Sequence, residues 1–223
     1  MLFRSMKLRL CCRNRLAMTL LEVIAVIAAV LILFALLLPF LAATKKKSAK
    51  IGCTNNVKQI GLAFRIWEGD NGDLYPMGVS VTHGGAKELV QAGNVVSVFQ
   101  VMSNELSTPK VVVCPNDANA FYATNFGGLA NSNISYFASV DVTNELNPKM
   151  LVSGDCNFEI GRKPIRSGLV LVSAKDSVGW SATRHEYGGN LLFTDGRVDT
   201  MSSRRLPDYF IQTGIATNRL AIP

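Results

Sequence analysis

Few residues in this chain are suited to catalysis or metal binding. There are two histidines, His83 and His185, and five cysteines, Cys11, Cys12, Cys53, Cys114 and Cys156. "HEYGG" at His185 opens like the metal-binding helix of a zinc protease, but the position of the second histidine is Gly189. No nucleophile-elbow or phosphate-loop pattern occurs. A histidine metal site would need help from cysteines or carboxylates, which stand at no recognisable zinc spacing. The sequence therefore reads as a non-enzyme, with no catalytic residue and no metal ligand assigned. Asp195 in "TDGR" can be a cation ligand or part of a tight turn, and the turn is the stronger reading. His185 is expected to pack on, or hydrogen-bond to, the hairpin around that turn. Cys53, Cys114 and Cys156 all follow a long apolar run. In an exported domain they imply one disulfide and one free thiol, or else three reduced thiols.

The elements that must position these residues begin with that run. From Val23 to Thr44 there are 22 residues without a charge, and Glu22 stands at its front edge. As a helix at about 1.5 Å per residue, the run spans roughly 33 Å, enough for the hydrocarbon core of a bilayer. It is apolar on every side, so it is not a one-faced helix of a soluble core. A secretory signal peptide cut near "LAAT" is the main rival. The net charge of +7 is concentrated before the run: Arg4, Lys7, Arg9, Arg13 and Arg15 precede Met18, leaving 18 basic against 16 acidic residues beyond. The body is thus nearly neutral, which argues against a nucleic-acid partner. Lys45, Lys46, Lys47, Lys50 and Lys58 follow the run. They balance the five leader charges, so the positive-inside rule does not orient the segment.

The order basic leader, Ala17, Met18, Thr19, Leu20, Leu21, Glu22, apolar run resembles the N-terminus of type IV prepilins and of the pseudopilins of type II secretion. Two positions depart from the usual pattern: Ala17 stands for Gly and Met18 for Phe. The resemblance implies cleavage by a membrane-embedded prepilin peptidase between Ala17 and Met18, with methylation of the new amino terminus. It also implies that Glu22, the fifth mature residue, faces the terminal amine of a neighbouring subunit in a filament. A buried charge is tolerable only when paired, so Glu22 would set the register of assembly. Pro39 lies where the family commonly has a helix-perturbing proline.

Apolar residues at Ile51, Val57, Ile60, Leu62, Ala63, Ile66 and Trp67 extend the helical pattern as far as the turn cluster "EGDNGD". One helix from about Met18 to Trp67, broken or softened near Pro39, is expected. Beyond it, "AKELVQAG" reads as a short helix, and "VVSVFQVMSNEL" fits helix or strand. "PKVVVCP", "NISYFASV", "KMLVSGD" and "SGLVLVS" read as strands. "NLLFTDGRVDTM" reads as a hairpin turning at Asp195-Gly196, and "PDYFIQTG" as a helix stopped by Gly214.

The segment from His185 through nine residues to Asp195-Gly196 is similar to the processing-associated segment of pseudopilin-like proteins from planctomycetes, verrucomicrobia and their relatives. "CTNNVKQIGLAF", "PKVVVCPND" and "NISYFASV" resemble the same group. Cys53 and Cys114 stand in those matching segments, and a disulfide between them is an expectation of the resemblance, with Cys156 the odd thiol. The resulting expectation is an α+β, pilin-like chain. It has a basic leader over 1–17, a long helix over 18–67 spanning the membrane at about 23–44, and an exported globular domain over 68–223 with a small antiparallel sheet. The implied role is a pseudopilin structural subunit of type II secretion. Its partners are other pseudopilins, the prepilin peptidase and the inner-membrane assembly platform. The implied location is single-pass in the inner membrane with the C-terminal domain periplasmic. No cofactor is assigned; calcium in the exported domain has no residue pattern behind it. A type IV pilus or DNA-uptake subunit is the near alternative. A signal-anchored periplasmic enzyme or ligand-binding domain is the alternative of a different class.

Overall fold

The computed structural model describes residues 18–223. Ala17, the leader charges, Cys11 and Cys12 lie outside the described residues, as does the side chain of Pro39. Helix α1, Leu20–Asp70, is the first element. Its start is fixed locally. The Thr19 N–H and hydroxyl both donate to Glu22 Oε2, at 2.8 and 3.1 Å, and the Glu22 N–H donates back to Thr19 Oγ1 at 3.3 Å. This is a capping box, in which each side chain satisfies a backbone N–H that the first turn leaves open. The helix continues through Pro39, so of a helix broken or softened there, the break does not occur.

Within α1, the stretch Leu20–Leu38 is long and apolar enough to cross a membrane. Every side chain in it is exposed. The chain divides into two compact units at Thr44/Lys45. In the second unit α1 becomes amphipathic: Cys53, Val57, Ile60, Ala63, Phe64 and Trp67 are buried at helical spacing, while Ile51, Leu62 and Ile66 are exposed. Its end is made by "DNGD". Asn71 and Asp73 N–H groups donate to the Glu68 carbonyl, and Gly72 and Asp73 adopt positive φ (70° and 59°).

Four short helices follow the chain: α2 Lys87–Gln91, α3 Val95–Val101, α4 Ser103–Leu106 and, near the C-terminus, α5 Leu206–Gln212. The stretch "VVSVFQVMSNEL" is thus helical. Asn94 caps α3 by accepting from the Ser97 N–H. "PKVVVCP" is not a strand but a 3-10 turn over Pro109–Val112. Thr108 caps that turn and proline occupies its first position, two start signals that outweigh three consecutive valines.

Among the described residues, nine strands complete the fold. They are β1 Tyr136–Ser139, β2 Leu151–Asp155, β3 Phe158–Ile160, β4 Lys163–Pro164, β5 Gly168–Ser173, β6 Val178–Trp180, β7 Gly188–Phe193, β8 Val198–Ser202 and β9 Thr217–Ile222. Six form a fully antiparallel sheet in the order β5-β9-β1-β2-β7-β8, and three form a small one in the order β4-β3-β6. The architecture is α+β, with a larger sheet than the sequence suggests. Alternation splits the central strands between two cores. Tyr136, Ala138, Val152, Leu192 and Ala221 pack with the buried face of α1 and with α2 to α4. Phe137, Leu151, Leu191, Phe193, Leu220 and Ile222 pack with the small sheet and α5. Both faces of the central sheet are covered, so β1, β2 and β7 are buried at every position. On the second side, Phe158 stacks on Trp180 with ring centroids 4.7 Å apart.

Candidate functional site

On the α1 side of the central sheet, four side chains that are far apart in sequence converge. Cys53 comes from α1. Cys114 follows the 3-10 turn, Asp155 ends β2, and His185 precedes β7. All four are buried, and their donor atoms lie within 4.8 Å of one another. His185 Nε2 is 3.3 Å from Cys53 Sγ, 3.3 Å from Cys114 Sγ and 3.6 Å from Asp155 Oδ2. Cys53 Sγ is 3.2 Å from Asp155 Oδ1.

Each member is placed by identifiable contacts. Cys53 lies one turn before Val57 on the buried stripe of α1. Asn56, on the next turn, donates to the Val113 carbonyl at 2.9 Å and holds the Cys114 segment against the helix. Asp155 is paired in register with Tyr136 across β1 and β2, and the Tyr136 hydroxyl reaches Cys53 Sγ at 3.3 Å. Asn190 of β7 fixes the carboxylate: its N–H and Nδ2 donate to Asp155 Oδ2 at 2.7 and 2.8 Å. The Asn190 amide oxygen is held in turn by the hydroxyls of Thr54 (3.0 Å) and Thr200 (2.7 Å). The loops bearing Cys114 and His185 are joined by an Arg184–Asp117 ion pair, and Arg184 also donates to the Ser135 carbonyl at 2.7 Å. Directly after His185, Glu186 and Tyr187 both take positive φ (54° and 63°). That is a costly conformation for two successive residues with side chains. The Ser203 N–H and hydroxyl fix this turn by donating to the Tyr187 carbonyl.

The electrostatics follow from this packing. The hydrogen bond between the two thiols pushes Cys53 well above the usual thiol range, with burial and the Asp155 charge adding to it. The same bond, helped by one from His185, lowers Cys114 to about 6 against the effect of burial. Burial alone would lower His185, but its hydrogen bonds to Asp155 and Cys114 outweigh that and raise it to about 9. A thiolate beside an imidazolium can be a nucleophile. Here Nε2 faces both sulfurs and the carboxylate together, while Nδ1 meets the Asn116 amide at 3.3 Å. The side chains of His185 and Asp155 are buried, and His185 and Asn116 also line an adjoining cleft. The set is suited to holding an ion.

The expected site residues separate into three places. Cys53, Cys114 and His185 are brought together, with both cysteines as free thiols. Asp195 and Gly196 are at the other end of β7, six residues or about 20 Å along the strand. There they form the β7–β8 turn: Gly196 has φ 81°, Asp195 Oδ1 accepts from the Arg197 N–H at 2.9 Å, and Arg65 of α1 donates to the Asp195 carbonyl at 3.1 Å. The nine-residue spacing of the motif is thus the length of one strand with its end residues. Met18 and Glu22 lie at the start of α1. Cys156 stands apart from the other thiols and accepts from Arg184 at 3.3 Å. Asp155, Asn190 and Tyr136 were not singled out by the sequence; "SGD" ending a buried strand, an acid where both faces are covered, was the available signal. A cleft of about 440 Å³ borders the cluster. It is lined by Lys46, Lys47, Lys50 and Arg184, with Glu186 as the one acid.

No protein-family model matches this chain, and neither a curated protein nor a solved structure is similar to it by comparison.

Proposed function

We propose that this chain is a membrane-anchored structural subunit of the pilin type, cut between Ala17 and Met18 and assembled through the first half of α1. The observation that carries the reading is the make-up of α1: a start capped by Thr19 and Glu22, and a stretch Leu20–Leu38 that is exposed throughout and, apart from Glu22, apolar. Eighteen exposed apolar residues are stable only against lipid or against other apolar helices, and a subunit that moves from membrane to filament uses both. The single acid in that stretch is the group that pairing in a filament would call for. In this reading the globular unit is periplasmic and the pseudopilus of type II secretion is the assembly, with a type IV pilus or DNA-uptake fibre sharing the same helix physics.

The test is mass spectrometry of the mature N-terminus in cells with and without prepilin peptidase. A methylated chain starting at Met18, present only with the peptidase, is the expected result. A chain starting near Thr44, or uncut at Met1, overturns the proposal.

A further inference from the structure

The convergence of three groups on one imidazole nitrogen leads beyond the assembly reading. A protonated Nε2 has one hydrogen to share among Cys53 Sγ, Cys114 Sγ and Asp155 Oδ2, all within 3.6 Å. Hydrogen bonding alone does not repay burying two thiols, a carboxylate and an imidazole together at such separations. A metal ion at their centre would. Bonds of about 2.3 Å to sulfur and 2.0–2.2 Å to nitrogen and oxygen give a tetrahedron with edges of roughly 3.3–3.8 Å. His185 Nε2 is 3.3 Å from each sulfur and Asp155 Oδ1 is 3.2 Å from Cys53 Sγ, at those edges or just inside them, and all four donor atoms lie within 4.8 Å of one another.

We propose that Cys53, Cys114, Asp155 and His185 bind a zinc ion as a closed structural site in the globular unit. Binding replaces the two thiol protons, which leave to solvent, and the imidazole becomes neutral with its proton on Nδ1; the Asn116 amide, whose Nδ2 now lies 3.3 Å from Nδ1, turns to present its oxygen as the acceptor. Two thiolates, one carboxylate and the divalent ion carry a net charge of −1, and the adjoining cleft with its three lysines and Arg184 offsets it. The outer shell is in place. Asn190 donates twice to Asp155 Oδ2 and leaves Oδ1 toward Cys53, while the Tyr136 hydroxyl and Asn190 Nδ2 (3.6 Å) face the Cys53 sulfur as donors. Four protein ligands leave no open position, so the ion is structural. It ties α1 to the ends of β2 and β7 and to the Cys114 loop. This inference rests on residues of the globular unit alone and stands or falls independently of the membrane reading.

The experiment uses the full chain in detergent, purified under reducing conditions, with zinc and then cobalt as probes. About one zinc per chain is expected, and cobalt should give the strong visible bands of a tetrahedral thiolate complex. Cys156→Ser should keep both properties, and Cys53→Ser/Cys114→Ser should lose both. Asn190→Ala, which leaves all four ligands in place, should weaken zinc binding about 10–100-fold. The cobalt spectrum of the unaltered chain decides the matter even if the double variant fails to fold. A reduced chain that takes up no zinc, a cobalt complex without thiolate bands, or a chain isolated without reductant with Cys53 joined to Cys114 and no zinc uptake after reduction would each overturn the site.

Discussion

The two halves of α1 are built for different surroundings. From Leu20 to Leu38 every side chain but Glu22 is apolar, and all are exposed, without one preferred face. From Lys45 to Asp70 the same helix has its charges outward, Glu68 excepted, and a stripe from Cys53 to Trp67 buried at under 6% exposure. The second half is held by its own chain, since it forms one wall of a core shared with β1, β2, β7 and β9. Leu20–Leu38 is exposed at every position and is long and apolar enough to cross a membrane. A helix that is apolar all round is of the kind buried in a large core or a membrane.

The largest expected effects follow from equivalent substitutions in the two halves. Phe64 is 1% exposed and meets Tyr75 edge-on at 5.5 Å. Phe64→Ala should cost about 3–5 kcal/mol in urea unfolding of the globular unit, read by the fluorescence of buried Trp67 and Trp180. Phe34→Ala, at a position 57% exposed, should leave that transition within about 0.5 kcal/mol and reduce partitioning into bilayers instead. Equal shifts in the unfolding curve would overturn the contrast between the two halves.

A smaller effect distinguishes two roles for Glu22. Its local role is now visible, because Thr19 and Glu22 cap each other. Thr19→Ala removes that reciprocity and should cost the helix start about 1 kcal/mol. Glu22→Gln removes the charge but keeps an amide oxygen able to accept from the Thr19 N–H. If the charge pairs with a neighbour's amine, Thr19→Ala assembles and Glu22→Gln does not. Electron microscopy of fibres, or secretion assays, showing the reverse order would reduce Glu22 to a cap.

The legible parts of the fold were those specified by neighbours in sequence. The long helix, the Asp195-Gly196 hairpin and the helix ending at Gly214 were all signalled by turn chemistry or by period. The 3-10 turn at Pro109 was signalled too, by Thr108 and proline, but three valines suggested a strand. The capping box at Thr19 is encoded locally as well, as Thr-x-x-Glu ahead of an apolar run. The cluster was only partly legible. Cys53 and His185 are separated by 132 residues, and the four ligands come from a helix, a loop, a strand end and a turn. No local spacing encodes such a set. Resemblance selected Cys53, Cys114 and His185 without giving them a common place, and Asp155 became visible only once β1 and β2 were in register.

The smallest expected effect concerns the acid at the other end of α1. Glu68 is 5% exposed in the final turns, where the helix dipole disfavours negative charge. Burial first, and then the neighbouring Glu145 and Asp73, raise its pKa, against a hydrogen bond from the Glu145 N–H and the charge of Arg65. A raised carboxyl pKa means that the folded chain holds this proton more tightly than the unfolded chain. Its contribution is therefore fully present below the unfolded value of about 4.3 and is lost as pH rises through the folded value. Glu68→Gln keeps an oxygen for the Glu145 N–H, now 3.2 Å from Glu68 Oε1, and removes the charge. It should melt slightly higher than the unaltered chain at neutral pH, with the difference closing near pH 4. A variant that melts lower at neutral pH would show that the Glu68 charge is used, through Arg65 or a bound cation. The acid at the buried end of α1 would then be as functional as the one at its exposed end.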